Sequence, residues 1–171
     1  MKGKELKRLA VILAVCAAVA AAIKVTAGFF ITPLVIRGSS MSPTVCEGDV
    51  VLVRRSPDFT MGDVVAFYSG DGILVKRVIA GPGSWVFINS EGDVYVDGNA
   101  VDEPQITDKS AGESEIDYPY AVPGESYFVL GDHRSVSVDS RSGTVGCISG
   151  DSIIGRVYYR VLPLSAWGTI K

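Results

Sequence analysis

Three stretches of the chain together hold the residue types that are needed to hydrolyse a peptide bond through a covalent intermediate. The first is a turn rich in Ser, Pro and Thr around Ser40, and the second is an apolar, strand-like run with Lys76 at its centre. The third is a polar loop, residues 131–141, that contains Ser137. Each stretch alone is typical of an ordinary turn, strand or surface loop. Together they supply a hydroxyl nucleophile, an amine to accept its proton and a hydroxyl to orient the amine.

Lys76 can act as a base only in its neutral form, because a protonated amine has no lone pair left to accept a proton. The ordinary pKa of lysine is about 10.4, so the side chain must be desolvated for that pKa to fall. The apolar residues 73–75 and 78–79 supply such surroundings. Successive residues of a strand point to opposite faces, so the neighbouring cation of Arg77 need not share the pocket.

His133 is the other candidate base, but we see no acid clearly placed to complete a triad with it. A transpeptidase built from His133 and Cys147 is also conceivable, although the residues around Cys147 lack a Thr-Leu-x-Thr-Cys motif. The chain has one histidine and no Cys-x-x-Cys pair, so we expect no metal site and no cofactor. Cys46 and Cys147 would be free to pair only in an oxidising compartment.

The N-terminal region predicts a membrane anchor. Residues 1–8 are basic, and residues 9–30 are apolar apart from Lys24. As a helix, residues 9–30 would extend roughly 33 Å, enough to cross a bilayer. The basic end places the N-terminus in the cytoplasm and residues 31–171 outside. The alternative is a cleavable signal peptide that ends at the alanines 20–22.

The remainder of the chain predicts a mainly β domain, residues 31–171, with antiparallel sheets in a partly open barrel or sandwich. Residues 104–119 are polar and acidic, and we expect them to form a mobile excursion. The domain carries 11 basic and 18 acidic residues, which argues against a nucleic-acid partner. The strand candidates are residues 50–54, 64–68, 74–79, 85–88, 94–96, 127–130 and 153–161.

The motifs, taken in order, resemble those of the type I signal peptidases, membrane-anchored Ser/Lys proteases that remove signal peptides from exported proteins. The resemblance covers nearly the whole chain. It rests on Ser-Met-x-Pro-Thr at 40–44, Gly-Asp and an apolar run at 48–53, Lys-Arg-Val at 76–78, Gly-Pro-Gly at 81–83, and Gly-Asp-x-Arg to Ser-x-Asp-Ser-Arg at 131–141. His133 departs from this pattern, since the family usually has Asn there.

The resemblance implies a role for each matching residue. Ser40 would be the nucleophile, Lys76 the base and Ser137 the residue that orients the base. The backbone N–H of Ser40 would hold the oxyanion. Some relatives supply a second donor from a serine two residues before the nucleophile, and that position is Gly38 here, as in the Gram-positive-type branch. Structural pairs would form between Arg77 and Asp132 and between Asp139 and Arg141. The implied substrate-binding residues are Ile36, Gly38, Met41, Val45, Val51 and Val75.

The sequence therefore predicts a signal peptidase in a bacterial cytoplasmic membrane, with the lipid bilayer and secretory preproteins as its partners. Its substrate would be an extended peptide bound edge to edge between residues 34–38 and 73–75, and cut after small residues of the Ala-x-Ala type. Two alternatives stay open. One is a dedicated Ser/Lys maturation protease of the pilus or conjugation type, and the other is a membrane-tethered β module that binds a partner without catalysis.

Overall fold

The computed structural model describes residues 12–13, 15–16 and 31–170. By its contacts the chain divides into a unit Met1–Thr32 and a unit Pro33–Lys171. In the first unit, residues 12–13 and 15–16 are helical. Within the described residues, the structure holds no helix long and apolar enough to cross a membrane. Most of the predicted anchor, 9–30, lies outside the described residues and stays a prediction.

Two antiparallel sheets make up the described part of the chain beyond residue 30. The larger sheet has the strand order β1-β2-β11-β3-β4-β9-β10, with β12 paired to β11, and the smaller has the order β7-β6-β5-β8. The strands are β1 Ile31–Val35, β2 Val50–Arg54, β3 Val64–Ser69, β4 Gly72–Ala80, β5 Trp85–Ile88, β6 Val94–Val96, β7 Asn99–Ala100, β8 Tyr120–Ala121, β9 Ser126–Leu130, β10 Ile148–Ser149, β11 Ile153–Leu162 and β12 Gly168–Thr169.

Among residues 31–170, helical structure is limited to two short 3-10 helices, Gly150–Ser152 and Leu164–Ala166. The prediction of a mainly β, antiparallel body is therefore confirmed. Both sheets are open at their ends in the described residues, so neither forms a closed barrel there, and the finer prediction of a partly open barrel or sandwich stays a prediction.

Alternation of side chains explains the core under the larger sheet. In β2, Val51 and Val53 are buried while their neighbours are partly or fully exposed, as expected for a strand with one face against the core. Val51 and Val53 pack in one apolar cluster with Ile36 and Met41. The turn that contains Ser40 therefore packs directly on the hydrophobic core through the next residue, Met41.

Residues 104–119 correct one expectation. Ile106 in this segment is buried, with 8% of its surface exposed. The carbonyl oxygens of Ser110 and Ala111 accept hydrogen bonds from Arg141 at 3.1 and 3.0 Å. The segment thus packs on the body instead of extending freely from it. The cysteines Cys16, Cys46 and Cys147 are free thiols.

Candidate active site

A hydrogen bond joins the two residues that the sequence predicts as nucleophile and base. The Nζ atom of Lys76 lies 2.7 Å from the Oγ atom of Ser40, although the residues are 36 positions apart in the chain. Lys76 comes from β4, and Ser40 lies in the turn between β1 and β2. This is the contact that proton transfer from hydroxyl to amine requires.

The backbone around Ser40 is fixed on both sides of the nucleophile. Gly38 has φ +82°, a conformation that favours glycine, and it directs the chain into the turn. The N–H of Ser42 donates to the carbonyl oxygen of Ser39 at 3.0 Å, and the carbonyl oxygen of Ser40 accepts from the N–H of His133 at 3.0 Å. In the described part of the chain, the N–H of Ser40 itself has no backbone acceptor. It is therefore available to an oxyanion.

Burial weakens the hold of the Lys76 amine on its proton. Only 2% of the residue is exposed, and it pairs with Val65 of β3 in the sheet. Burial lowers its pKa from 10.5 to about 8, with a further lowering by Arg141. The nearby carboxylates of Asp139 and Asp132 oppose this by raising the pKa. Desolvation is the largest of these effects, so the amine has a substantial neutral population near neutral pH.

Arg77 points away from the amine and joins β4 to the loop 131–141. Its Nε and Nη2 atoms donate to the two carboxylate oxygens of Asp132 at 2.8 and 2.6 Å. It also donates to the carbonyl oxygen of Gly62 at 2.7 Å and to Thr44 Oγ1 at 3.3 Å. Because Arg77 and Asp132 are both buried, each charge needs the other, and removing one would leave the second uncompensated.

A second buried pair closes the loop on itself. Arg141 donates through Nε and Nη2 to the two carboxylate oxygens of Asp139 at 2.8 and 2.9 Å. The same carboxylate accepts from the N–H of Gly131 at 3.0 Å. Arg141 also donates to the carbonyl oxygen of Arg134 at 2.8 Å. The structure thus forms both pairs implied by the resemblance.

Ser137 lies beside the nucleophile without the hydrogen bond that its predicted role requires. A Cβ atom at Gly131 would lie 2.2 Å from Ser137 Oγ and 2.5 Å from the Ser40 carbonyl oxygen, so these groups meet in the space that glycine leaves. The Oγ atom of Ser137 is buried and has no partner among the described residues. A hydrogen bond with Lys76 is not formed in this arrangement, and the orienting role stays a prediction.

The rival candidates are placed differently. His133 contacts Ser40 through its backbone, while its ring Nε2 lies 3.6 Å from Asp108 Oδ2. Cys147 packs against the apolar cluster below the smaller sheet. Burial raises the pKa of its thiol to about 11, which is the opposite of what a thiolate nucleophile needs.

An open cleft of about 560 Å³ leads to Ser40 between the β1 end of the turn and the start of β4. Four of the predicted substrate-binding residues line it: Ile36, Gly38, Met41 and Val75. The other two, Val45 and Val51, are fully buried in the same apolar cluster and do not line the cleft. A further cavity of about 500 Å³ shares Ser40 with the cleft and extends to Lys76, Val136 and Val138.

Two strand edges border the cleft. β1 stands at the end of the larger sheet. β4 pairs with β3 along residues 72–77, but it pairs with β9 only from Arg77 onward. In the described residues, the first half of β4 therefore has one edge without a neighbouring strand.

Sequence reasoning missed Arg134 and Glu103. Arg134 is 1% exposed, and it donates through Nε to the carbonyl oxygen of Gly131 at 3.1 Å. Its guanidinium pairs with the buried carboxylate of Glu103. The motif contains Arg134, which is a signal, but no local pattern connects it to an acid 31 positions earlier.

A serine hydrogen-bonded to a buried lysine is an arrangement that suits a serine hydrolase whose base is an amine. Comparison with known proteins gives the family. The family model "Signal peptidase, peptidase S26" matches residues 7–162, and this chain belongs to that family.

Named relatives agree. Signal peptidase IB of Staphylococcus aureus is 36% identical over 157 residues, covering 80% of this chain and 81% of the relative. Signal peptidase I S of Bacillus subtilis is 33% identical over 149 residues, covering 80% of each chain. A crystal structure of a signal peptidase I from Enterococcus faecalis is 26% identical, with a TM-score of 0.49, and covers 58% of this chain and 97% of its own. The family predicted from the motifs is confirmed, and with it the class of enzyme, a serine endopeptidase.

Proposed function

We propose that this protein is a membrane-anchored Ser/Lys endopeptidase that removes signal peptides from exported preproteins after small residues. The observation that carries the proposal is the 2.7 Å hydrogen bond between Ser40 and the buried amine of Lys76. Membership of the peptidase S26 family supports the substrate class.

Catalysis would proceed through an acyl-enzyme. Neutral Lys76 removes the proton from Ser40 Oγ as that oxygen attacks the scissile carbonyl, and the N–H of Ser40 stabilises the resulting oxyanion. The ammonium of Lys76 then gives its proton to the departing amine, and the peptide C–N bond breaks. Lys76, neutral again, takes a proton from the water that attacks the ester. The water's oxygen leaves with the signal peptide as a carboxylic acid, and Ser40 Oγ regains its hydrogen.

The substrate would bind chiefly through its backbone. An extended peptide can pair with β1 on one side and with the free edge of residues 72–76 on the other, which is strand addition. Ile36, Met41 and Val75 then face the substrate side chains. Val45 and Val51, which we predicted as pocket residues, would support this surface from the core. The cavity toward Val136 and Val138 leaves room for the chain after the cut.

The site for this chemistry would be the outer face of a bacterial cytoplasmic membrane. The basic residues 1–8 and the apolar residues 9–30 support an N-terminus in the cytoplasm, one anchor, and residues 31–171 outside. N-terminal sequencing of the protein extracted from membranes tests this. A mature chain that begins at Ile23 would mean that a signal peptide is cleaved instead.

The full chain, purified in detergent, should be incubated with a panel of preproteins and the new N-termini sequenced. We expect cleavage after small residues at the signal-peptide junction, and no cleavage by a Ser40→Ala variant with an unchanged melting curve. Cleavage of one pilin-like precursor alone would favour the dedicated maturation protease. A Ser40→Ala variant as active as wild type would refute the mechanism.

A further inference from the structure

The acidic segment 103–115 contacts the loop 131–141 along its outer side. The carboxylate of Glu103 pairs with Arg134, and the carboxylate of Asp108 accepts from the N–H of Ser135 at 3.4 Å and from its hydroxyl. Farther along the segment, the N–H of Glu115 donates to the carbonyl oxygen of Arg141 at 2.9 Å. The segment therefore contacts the loop at the neighbouring residues Arg134 and Ser135 and again at its last residue, Arg141.

The contact of Glu103 with Arg134 is buried, unlike that of Asp108 with Ser135. The side chains of Arg134 and Glu103 are 1% and 5% exposed, whereas Asp108 is 43% exposed. Water cannot replace Glu103 as the partner of a buried guanidinium without opening the loop. By contrast, solvent can compensate for the loss of Asp108, since exposed charge pairs contribute little.

A short chain of contacts leads from Glu103 to the reacting groups. Arg134 donates to the carbonyl oxygen of Gly131 at 3.1 Å. The N–H of Gly131 donates to Asp139, one of the carboxylates that act on Lys76. Two residues after Gly131, the N–H of His133 holds the carbonyl oxygen of Ser40. A displacement of Arg134 would therefore reach both the nucleophile and the surroundings of the base.

We propose that Glu103 is a positioning residue for catalysis, which acts through Arg134 to hold the loop 131–141 against Ser40 and Lys76. The inference rests on the proposed Ser/Lys mechanism. It assigns a catalytic purpose to the segment 103–115: this segment fixes the loop whose residues Asp132, Asp139 and Arg141 act on the amine.

Loosening the loop 131–141 should change the pKa of Lys76 in one direction, upward. The charged groups that act on it are Asp139, Asp132 and Arg141, and burial outweighs them all. Loosening the loop admits water, which stabilises the ammonium and raises the pKa of Lys76. Each unit by which that pKa rises lowers the neutral fraction at pH 7 about tenfold. Near Glu103 itself, Lys109 supplies a further positive charge, which does not replace Arg134.

The test compares Glu103→Gln with Glu113→Gln in the full chain. Glu113 is an exposed residue of the same segment, so the two changes remove the same charge. In a plot of kcat against pH, we expect Glu103→Gln to move the acidic limb to higher pH by at least about half a unit. At pH 7 this lowers kcat by about threefold or more, while KM stays within about twofold of wild type. Glu113→Gln should leave the acidic limb, kcat at pH 7 and KM unchanged.

The Arg134→Gln variant and the double variant, which combines Glu103→Gln with Arg134→Gln, complete a double-mutant cycle. If Glu103 acts through Arg134, the two single losses will not add, and the double variant will resemble Arg134→Gln. An additive cycle, or a limb that does not move in Glu103→Gln, would overturn the proposal. A fall in kcat that follows only the melting temperature would do the same, since it would indicate a purely structural role.

Amide hydrogen exchange of residues 131–141 gives a readout that is independent of activity. Faster exchange in Glu103→Gln than in Glu113→Gln is expected even if the protein proved not to cleave preproteins, so the two proposals can fail separately. Equal exchange would refute the positioning role. If Glu103→Gln does not fold, Glu103→Asp serves in its place, because it keeps the charge but shortens the side chain. We expect Glu103→Asp to shift the acidic limb of kcat and to speed amide exchange in residues 131–141, both to a smaller extent.

Discussion

The pH dependence of cleavage should report the titration of Lys76. With a pKa of about 8, about one molecule in ten has a neutral amine at pH 7. With the ordinary lysine value of 10.5, the neutral fraction would be about one in three thousand. Burial of this side chain therefore raises the population of active enzyme at neutral pH by roughly three hundredfold.

The direction of this pH dependence follows from the form of Lys76 that can accept a proton, which is the neutral amine. Below pH 8 the amine is charged and cannot accept the proton, so kcat/KM should fall about tenfold for each unit of pH. Above pH 8 the neutral form dominates, and the rate should level off. An initial-rate assay with a fluorogenic peptide cut after Ala-x-Ala, from pH 5.5 to 9.5, measures this limb.

Two substitutions separate the lysine from the histidine as base. Lys76→Arg retains a positive charge, but guanidinium does not lose its proton in this pH range, so the variant should be folded and inactive. His133→Asn should remain active with the same limb, because the ring lies beside Asp108 and only the backbone N–H reaches Ser40. A folded Lys76→Arg enzyme with near wild-type rate, or a folded but inactive His133→Asn enzyme, would refute the reasoning.

Two further predictions concern the same site. Ser137→Ala should lower kcat by about tenfold without abolishing it, since a hydroxyl that orients the base contributes about as much as one hydrogen bond; turnover and melting curves check this, and an unchanged rate would exclude Ser137 from the site. Lys76→Met should stabilise the fold by about 3 kcal/mol at pH 7, because the native state must otherwise hold a buried ammonium. The pKa of Lys76 is lower in the folded than in the unfolded chain, so this gain is full below pH 8 and disappears as pH rises toward 10.5. Denaturant unfolding at pH 7 and pH 10 measures it, and equal differences at both would contradict the burial argument.

Local pattern was enough to predict most strands. Val50–Arg54 and Trp85–Ile88 have the predicted bounds, because β-branched or aromatic residues are concentrated there between turn residues. β1, Ile31–Val35, was missed, since Pro33 interrupts it and it continues the apolar run before it. The two-residue strands were also missed, because their pairing depends on neighbours far away in the chain.

Residues of the candidate site could be predicted from the sequence only where they belong to a motif. The partnership of Ser40 and Lys76 followed from the resemblance, but the burial of the charges around it did not. Arg77, Asp139 and Arg141 are 4%, 1% and 2% exposed, while charged residues are mostly exposed in proteins. The contact of Glu103 with Arg134 and the failure of Val45 and Val51 to reach the cleft depend on how distant strands pack. No spacing in the sequence encodes either one.

The unpaired edge of residues 72–76 has a consequence for the protein in solution. A strand edge that accepts the backbone of any extended peptide also accepts the edge of another copy, which is a route to aggregation. The two charged residues that line the cleft, Arg37 and Asp71, stand where charges protect exposed edges in other sheet proteins. Neutralising both should make the purified protein self-associate as its concentration rises, and a bound substrate-like peptide should reverse this. The enzyme would then be most soluble when it is occupied.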